Sequence, residues 1–416
     1  MALKIFDFDE LFTFKAAAAR DGRRVSQKDL SPLKSARLVS VDGKILWLGP
    51  KKQFKASLLK PWGGVRAFEQ VNLSGFLALP AFVECHSHLV FAGSRHGEFE
   101  QRNQGVSYEQ IAKQGGGIIS TVKATRRASE SELLALAQER AIKFLSQGVT
   151  VLEVKSGYGL NQSSELKLLK VAGQIQGPQI VPTFLGAHAL PPEFSDVDSY
   201  LDYLEQKVLP LVKRRGLAQR IDIFWDKGYF HSPRALKFLL QAQQMGFSIC
   251  AHVDQLHSLG GVKSLLELAS VSLDHVVQLT DPDITRIARS QSTAVLLPGA
   301  DFYLRMKYPP ARRLLEEGAR CALATDFNPG SCPTQDLSLI GVLARLEMKM
   351  TLPEVLVAYT YGAAAALGLQ ADFGSLEVGK SCDFVCFNAG LEELFYSVGH
   401  HPVKGVWHRG QQVYAH

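Results

Sequence analysis

The sequence predicts an α/β fold in which a (β/α)8 TIM barrel carries a small β-sandwich domain formed from both termini. Three observations predict it. Short apolar runs alternate with amphipathic segments from about residue 76, this unit recurs eight times, and both ends of the chain are rich in alternating apolar residues and glycine turns. We therefore assign residues 76–370 to the barrel, and residues 1–75 and 371–416 to the β domain.

The β domain is predicted from turn signals at both ends of the chain. Residues 36–49 read ARLVSVDGKILWLG, where alternating apolar residues flank Asp42-Gly43. This dipeptide favours a tight β-hairpin. Residues 374–388 and 403–415 show a similar β-rich pattern with glycine turns, so we expect them to share one domain with the N-terminal hairpin. The first 35 residues carry no motif that we can interpret.

Eight apolar runs are the candidate barrel strands, because each is short and bounded by turn residues. They are LALPAFVECHSH, VTVLEVKSG, QIVPTFLGAHA, RIDIFWDKG, FSICAHVDQ, SVSLDHVVQ, STAVLLPG and ARCALATDFNPG. Helices are expected between most of them, for example over residues 130–148, over 232–246 from Ser232-Pro233, and over 351–368 after the last strand. An open doubly wound sheet is the alternative, but eight repeats favour a closed barrel.

Composition excludes several classes of protein. No stretch of about 18 apolar residues lacks a charge, and the N-terminus resembles no secretory signal, so we expect no membrane association. The six cysteines form no C-x-x-C pair, which favours free thiols in the cytoplasm. The net charge of +6 is dispersed, so no nucleic-acid partner is expected.

Polar residues stand at the C-terminal ends of the candidate strands, the face where barrel enzymes build their active sites. They are His86, His88, His188, His252, His275 and Asp326. The pattern predicts that these side chains meet in one cavity although they are far apart in sequence. We expect the remaining histidines, His96, His231, His257 and those from His400 to His416, to lie at the surface.

Four of these residues are predicted to bind a metal ion. The side chains of His86 and His88 are two apart on a strand and therefore share a face. With His252 and Asp326 they make three imidazoles and a carboxylate, a donor set suited to Zn²⁺ or Fe²⁺. A single buried histidine is more often a core residue with backbone hydrogen bonds. The set is better explained by a metal, because each member would otherwise need its own buried partner.

The remaining polar residues leave alternatives open. Asp326 can also accept a proton from the attacking water and pass it to a leaving nitrogen. His275 is either a fifth ligand or a hydrogen-bond donor to the substrate or nucleophile, and we favour the second role. Lys155 or Lys227 can be a carboxylated lysine that bridges two metals, with Lys227 nearer the required place, but a solvated loop lysine is the preferred interpretation of both.

Longer motifs narrow the assignment. PAFVECHSHLVFAGSR, QGGGIISTVKATRRAS, EVKSGYGL, FLGAHALPPE, LLPGADFYL and ATDFNPGS closely resemble the imidazolonepropionase family of the amidohydrolase superfamily, over about residues 76–390. The resemblance implies an amidohydrolase-type barrel that hydrolyses the cyclic amide 4-imidazolone-5-propanoate to N-formimino-L-glutamate, the third step of histidine degradation. It also implies one zinc or iron ion (Fe²⁺ or Fe³⁺) per chain, held by His86, His88, His252 and Asp326, and a cytoplasmic homodimer.

The resemblance also implies a set of substrate contacts. They are Arg95, Tyr158, His188, Gln255, Asn328, Gly330 and Ser331. Arg95 can pair with the propanoate carboxylate through two hydrogen bonds, and Tyr158 can donate a hydroxyl to it. Gln255 stands where some family members have glutamate; an amide is no base, so we assign it to hydrogen-bonding the ring. NPGS is also an ordinary turn sequence, and a turn can serve both purposes.

Two rival functions share parts of this pattern. A purine or pyrimidine deaminase would use the same metal set, but it would need partners for a base edge more than an arginine for a carboxylate. Some barrels of this superfamily are non-catalytic assembly proteins that have lost their metal ligands. The full ligand set in this sequence argues against that class.

Overall fold

The computed structural model describes residues 2–106, 110–111 and 115–416. These residues form two sheets of eight strands each. The first sheet takes its strands from both ends of the chain. They are β1 Leu3–Phe12, β2 Pro32–Val41, β3 Lys44–Pro50, β4 Glu69–Asn72, β5 Leu77–Pro80, β14 Phe384–Phe387, β15 Val403–His408 and β16 Gln411–Ala415.

The second sheet is the predicted barrel. Its strands are β6 Phe82–Glu84, β7 Val149–Lys155, β8 Gln179–Ala187, β9 Arg220–Trp225, β10 Ser248–Val253, β11 Ser272–His275, β12 Thr293–Leu296 and β13 Arg320–Leu323. They are parallel and pair in chain order from β6 to β13. The ring is joined just beyond the first and last strands, where Ser87 bridges Phe327 and the His88 amide donates to the Phe327 carbonyl at 2.9 Å. The predicted fold class is confirmed.

Helices connect the barrel strands and pack against them. The described α-helices are Lys15–Ala19, His96–Asn103, Ile118–Arg127, Glu130–Leu145, Gln162–Ala172, Val197–Tyr203, Leu209–Arg214, Pro233–Gln244, Gly261–Glu267, Asp281–Arg289, Pro298–Leu304, Ala311–Glu317, Leu337–Leu346, Leu352–Val357 and Ala363–Ala366. The 3-10 segments are Gln27–Leu30, Lys51–Gln53, Ala56–Trp62, Val65–Ala67 and Leu391–Glu393, and the π segments are Leu204–Val208 and Ala358–Gly362. Among the described residues, no helix combines the length and the apolar character needed to span a bilayer.

Local sequence explains the helix starts. Ser129 caps Glu130–Leu145 by accepting from the Glu132 amide, and Ser232 caps Pro233–Gln244 by accepting from the Ala235 amide. The predicted helix over 351–368 exists, but it widens into a π segment at Ala358–Gly362. Gly362 lies against the Cys321 carbonyl of β13, where a Cβ would clash, so a glycine is required at this crossing.

The β domain confirms the hairpin and corrects one other expectation. Asp42 and Gly43 both have positive φ, 48° and 80°, as the tight turn between β2 and β3 requires. Of residues 374–388 only Phe384–Phe387 is a strand. The N-terminal segment without a motif supplies β1, which lies between β2 and β5. A bridge from Lys44 to Ser381 joins the outer strand to the segment before β14, so the sheet folds back on itself.

The first predicted barrel strand is in fact two strands. LALP forms β5 of the β domain, and FVE forms β6 of the barrel. Between them the Ala81 amide donates to the Asp383 carbonyl of the β domain, and the Phe82 amide donates to the Gly148 carbonyl beside the barrel. The chain therefore passes from the β domain to the barrel over one residue. The sequence did not predict this boundary, because both strands lie in one continuous apolar run. The domain bounds at 75/76 and 370/371 stay predictions.

Candidate metal centre and active site

The structure brings the four predicted metal ligands and His275 together at the C-terminal end of the barrel. Donor atoms of His86, His88 and Asp326 lie within 4.8 Å of one another, and so do donor atoms of His86, His252 and His275. The Nε2 atoms of His86 and His88 each lie 3.4 Å from Oδ1 of Asp326. The rings of His86 and His252 are 4.5 Å apart between centroids.

The donor set fits a divalent cation. Among the described residues, Nε2 of His86 is buried without a hydrogen-bond partner, and the same holds for Nδ1 of His88 and of His275. An unpaired buried polar atom costs about 1–3 kcal/mol, so unpaired nitrogens on three neighbouring rings indicate a missing partner. The imidazole and carboxylate donors gathered here are of the kind that zinc and iron accept.

Two buried carboxylates orient the histidine rings. Nδ1 of His86 lies 2.7 Å from Oδ2 of Asp274, and Nδ1 of His252 lies 3.1 Å from Oδ2 of Asp222. Each carboxylate can accept the Nδ1 hydrogen, which leaves the lone pair of the ring on Nε2. This is the tautomer that a metal ligand requires.

Lys155 corrects one expectation from the sequence. Its side chain is fully buried, and its ammonium nitrogen lies 2.7 Å from Oδ2 of Asp222, 2.9 Å from Oε2 of Glu153 and 3.4 Å from Oδ2 of Asp274. The interpretation as a solvated loop lysine was therefore wrong for Lys155, although Lys227 is exposed as expected. Lys155 balances the charge of the same two carboxylates that hold the histidine ligands.

Burial and these ion pairs set the charges of the site. Burial lowers the pKa of His88 to about 4, and it also lowers the pKa values of His188 and His275. For His86, burial and the charge of Lys155 lower the pKa, but Asp274 and Asp326 outweigh them and raise it to about 9. Burial opposes ionisation of Asp326, yet the close contacts of His86 and His88 with its carboxylate hold its pKa well below the usual range. Asp326 is therefore an anion, as a cation ligand must be.

The backbone at this end of the barrel is strained. His275, Val276 and Asp326 have φ values of 73°, 48° and 53°. Non-glycine residues avoid this left-handed region, and a β-branched residue such as valine does so most strongly. Strain of this kind is held by surrounding structure and clusters at functional sites.

A cavity of about 390 Å³ opens above the donor set. Most of the predicted substrate contacts line it, together with apolar residues. Its described lining includes His88, Arg95, Ile118, Tyr158, His188, Phe224, His252, Gln255, Leu256, His257, His275, Leu304, Met306, Asp326, Asn328 and Ser331. The cavity is large enough for a small organic acid. Gln114, which begins the QGGG motif, lies outside the described residues.

Arg95 and Gly330 are linked by packing. Arg95 is only 7% exposed, and its Nε donates to Oε2 of Glu98 at 2.8 Å. A Cβ on Gly330 would overlap the Arg95 guanidinium. Gly330 therefore makes room for the guanidinium, which explains a glycine here without any direct contact to a ligand.

Tyr158 and His188 form one wall of the cavity. Their rings lie 5.4 Å apart, and both side chains are buried. Nδ1 of His188 lies 2.9 Å from the Gly157 carbonyl. This contact fixes Nδ1–H as the donor to the backbone and leaves Nε2 as the ring atom that remains for a ligand.

The loop after β13 is held by its own side chains. Oδ1 of Asn328 accepts from the amides of Gly330 and Ser331 at 2.9 and 2.8 Å, while its Nδ2 donates to the Asp326 carbonyl at 2.6 Å. Ser331 Oγ donates to Oδ2 of Asp326 at 3.4 Å. Asn328 thus organises the turn, and Ser331 orients Asp326; direct substrate contacts of these residues stay predictions.

Sequence reasoning missed three residues of the site. Asp222 and Asp274 interrupt the apolar runs RIDIFW and SLDHVV, and an acidic residue inside a buried strand is a signal of a buried partner. His257 was expected at the surface, and its side chain is 39% exposed, but its place at the cavity was not predicted. It lines the cavity, and its Nδ1 lies 2.9 Å from Oδ1 of the buried Asp226. Its loop position had suggested exposure.

Comparison with known proteins identifies the family. A model described as the amidohydrolase family matches residues 230–413. An imidazolonepropionase from Bdellovibrio bacteriovorus is 49% identical over 414 residues, covering 100% of this chain and 97% of that protein. An imidazolonepropionase from Bacillus cytotoxicus is 38% identical and covers 94% of this chain and 92% of its own length.

Solved structures support the fold at lower identity. An adenosine deaminase from Xanthomonas campestris with bound zinc matches with a TM-score of 0.71 and 17% identity, over 98% of this chain and 92% of that chain. This likeness shows the shared architecture alone. The two relatives cover nearly the whole chain at well above 30% identity, and on that ground the chain belongs to the imidazolonepropionase family.

Proposed function

We propose that this protein hydrolyses 4-imidazolone-5-propanoate to N-formimino-L-glutamate, the third step of histidine degradation. One observation carries the proposal: a buried guanidinium, Arg95, lines the same 390 Å³ cavity as the His and Asp donor set. An anion anchor and a cation site in one small cavity suit a substrate with a carboxylate at one end and a carbonyl at the other. The names of the relatives above support the same substrate.

Binding begins with the carboxylate. Arg95 is buried, so a salt bridge from its guanidinium to the propanoate would be desolvated and directional. Tyr158 adds a hydroxyl, and Nε2 of His188 and the amide of Gln255 are assigned to the imidazolone ring. We assign Ser331 and Asn328 to the loop that keeps Asp326 in place.

One zinc or iron ion per chain would be held by His86, His88, His252 and Asp326. When bound, such an ion polarises a carbonyl and lowers the pKa of water to about 7. Asp326 and His275 are the residues assigned to proton movement. Asp326 takes a proton from the attacking water and delivers it to the ring nitrogen, and His275 donates a hydrogen bond to the carbonyl oxygen as it gains charge.

The proposal also includes a cytoplasmic homodimer. All six cysteines are buried free thiols, which supports a reducing compartment. The dimer is supported by the family resemblance, and sedimentation of the purified protein tests it.

Turnover by the purified, metal-loaded protein tests the main proposal. We expect imidazolonepropanoate to lose its ultraviolet absorbance in the presence of the protein, with one equivalent of N-formimino-L-glutamate formed. Adenine, guanine and cytosine should release no ammonia under the same conditions. Ammonia release without loss of imidazolonepropanoate would overturn the proposal and favour a deaminase.

A further inference from the structure

Glu165 is a buried carboxylate that has no part in the reaction described above. It lies in the first turn of the helix Gln162–Ala172, which follows β7. Between β7 and this helix runs the loop 156–161, which contains Tyr158 and belongs to no strand or helix. Because the loop has no regular ladder of backbone hydrogen bonds, its buried amide groups need other partners.

The carboxylate of Glu165 accepts hydrogen bonds from three amides of this loop. Oε1 accepts from Gly159 and Leu160 at 2.8 Å each, and Oε2 accepts from Gly157 at 3.2 Å. Burial raises the pKa of Glu165, and the hydrogen bonds from the loop oppose that rise. Leu160 has a φ of 51°, in the left-handed region that a leucine avoids, so the loop conformation depends on such support.

Two glycines, one on each side of Tyr158, allow this close approach. A Cβ on Gly159 would lie 2.5 Å from the amide nitrogen of Glu165 and 2.9 Å from its Oε1. A Cβ on Gly157, whose φ is 104°, would lie 2.9 Å from Nδ1 of His188. The sequence SGYG therefore has a physical reason, since each glycine leaves room for a side chain that binds the loop.

The peptide groups before and after Tyr158 are both held in this way. The carbonyl of the preceding peptide, that of Gly157, accepts from Nδ1 of His188 at 2.9 Å. The amide of the following peptide, that of Gly159, donates to Glu165. The rings of Tyr158 and His188 line the active-site cavity, whereas Glu165 is outside its described lining. Glu165 can therefore act on the cavity only through the loop.

We propose that Glu165 is a positioning residue for substrate binding, which holds the loop so that the Tyr158 hydroxyl and the His188 ring face the substrate. The inference rests on the proposed function, which assigns Tyr158 to the propanoate carboxylate and His188 to the ring. Without the carboxylate, the loop loses the hydrogen bonds that select one conformation, and ordering it again reduces the affinity for substrate. The histidine metal ligands are oriented by other carboxylates, Asp222 and Asp274, so the metal site should stay intact.

Hydrogen–deuterium exchange of Glu165→Gln tests the contact with the loop. Glutamine has one accepting oxygen instead of two, and its NH2 group would face an amide that also donates, so at least one hydrogen bond is lost. Exchange in a proteolytic peptide that contains residues 156–161 should become about tenfold faster or more. Glu354→Gln is the matched control, because Glu354 is also buried, accepts from the Thr351 amide at 2.8 Å, and is outside the described cavity lining. It should leave exchange of this peptide unchanged.

Steady-state kinetics of the metal-loaded variants give the second readout. In Glu165→Gln the KM for imidazolonepropanoate should rise about tenfold or more, while kcat stays within about threefold and zinc affinity is unchanged, because substrate contacts and not the metal are displaced. In Tyr158→Phe/Glu165→Gln the rise in KM should be smaller than the product of the two single rises, since both changes act on the same hydroxyl. An unchanged KM with reduced kcat and zinc affinity, or a rise equal to that product, would overturn the inference.

A second variant and one further measurement complete the test. Glu165→Asp keeps both accepting oxygens on a side chain one methylene shorter, and it should raise KM and exchange in the same direction; it replaces Glu165→Gln if that variant does not fold. Turnover by the wild-type protein is measured first. Its absence would refute the proposed function, whereas turnover with unchanged exchange in both Glu165 variants would refute only the role of Glu165.

Discussion

Two histidine–aspartate pairs in this molecule have the same geometry and different consequences. In the barrel, Nδ1 of His86 lies 2.7 Å from Oδ2 of Asp274; in the β domain, Nδ1 of His408 lies 2.7 Å from Oδ2 of Asp383. The barrel pair is fully buried, and Nε2 of His86 makes no hydrogen bond within the described part of the chain. The β-domain pair is partly exposed, with 14% of the His408 side chain accessible.

The difference lies beyond the pair itself. Asp383 also accepts from Ser381 Oγ at 2.6 Å and from the Arg409 amide at 2.9 Å, so the β-domain pair belongs to a satisfied network that joins neighbouring strands. Asp274 shares Lys155 with Asp222 and orients a ring whose other nitrogen faces Asp326. A short histidine–carboxylate contact is therefore no evidence of function. The role of such a histidine depends on what surrounds Nε2, the ring nitrogen that does not contact the aspartate.

Asp326→Asn should have the largest effect. We expect turnover to fall by about 10² to 10⁴-fold, because the side chain loses both its charge for the cation and its capacity as a base. The circular dichroism spectrum should stay unchanged, since asparagine has the same volume. Asp383→Asn in the β domain is the matched control and should keep wild-type turnover. Equal activity of the two variants would show that Asp326 is no more important for turnover than Asp383.

Lys155→Met should cost the most stability. It leaves Asp222, Asp274 and Glu153 without their ammonium partner, and breaking a buried ion pair on one side typically costs about 3–5 kcal/mol. The exposed Lys227→Met should change stability by no more than about 0.5 kcal/mol. Urea and thermal unfolding of the two variants measure this difference. If the two variants have the same free energy of unfolding, the buried ion-pair network does not stabilise the barrel.

Asp274→Asn should weaken metal binding by about 10 to 100-fold, the usual range for a residue that orients a ligand. The expected cause is loss of the carboxylate that fixes the Nδ1 hydrogen of His86. Competition with a chelator measures the affinity for zinc. Asp383→Asn should leave it unchanged, although it breaks a contact of the same length; a similar loss in both variants would show that general destabilisation is responsible.

The smallest expected effect, counted per pH unit, is a change in the pH dependence of stability. Burial raises the pKa of Glu84 in the barrel to about 8, so the folded state keeps a proton that the unfolded chain releases near pH 4.5. Stability from this group is complete below about pH 4.5 and is lost as the pH rises to about 8, by at most about 1.4 kcal/mol per pH unit. Glu84→Gln should flatten that slope in urea titrations at pH 5, 6, 7 and 8.

Asp383 should behave in the opposite direction. Burial raises its pKa, but the hydrogen bond and charge of His408 outweigh it and hold the pKa below the usual range. Its contribution is therefore present above about pH 4 and is lost as the pH falls. Asp383→Asn should change the dependence of stability on pH only below about pH 4. A change of this dependence near pH 7 would contradict the assignment.

The sequence predicted much of the fold and the donor set of the site. Hairpin β2–β3 could be predicted because Asp42-Gly43 specifies its turn locally, and Ser232-Pro233 marked the start of its helix. The sequence also allowed the prediction that the side chains of His86, His252 and Asp326 lie close together, because parallel strands end on one face of a barrel. Each of these inferences depends on local pattern plus one rule of topology.

Other features could not be predicted, because they depend on contacts between distant segments. The split of one apolar run into β5 and β6 depends on β14 arriving from the far end of the chain. The burial of Lys155 depends on carboxylates from three strands, and its charge alone had suggested exposure. The place of His257 at the cavity could not be predicted, because its ring contacts Asp226, which lies on another loop.

By itself, then, the sequence determined which residue types stand at which strand ends, and with them the kind of donors available to a cation. Only the tertiary structure decided which of these donors are deprived of water and of other partners. The physical reason is that pattern and capping act over a few residues, whereas burial and charge compensation are set by every segment that packs around a group. His86 and His408 show this: each has an aspartate at 2.7 Å, and only packing distinguishes them.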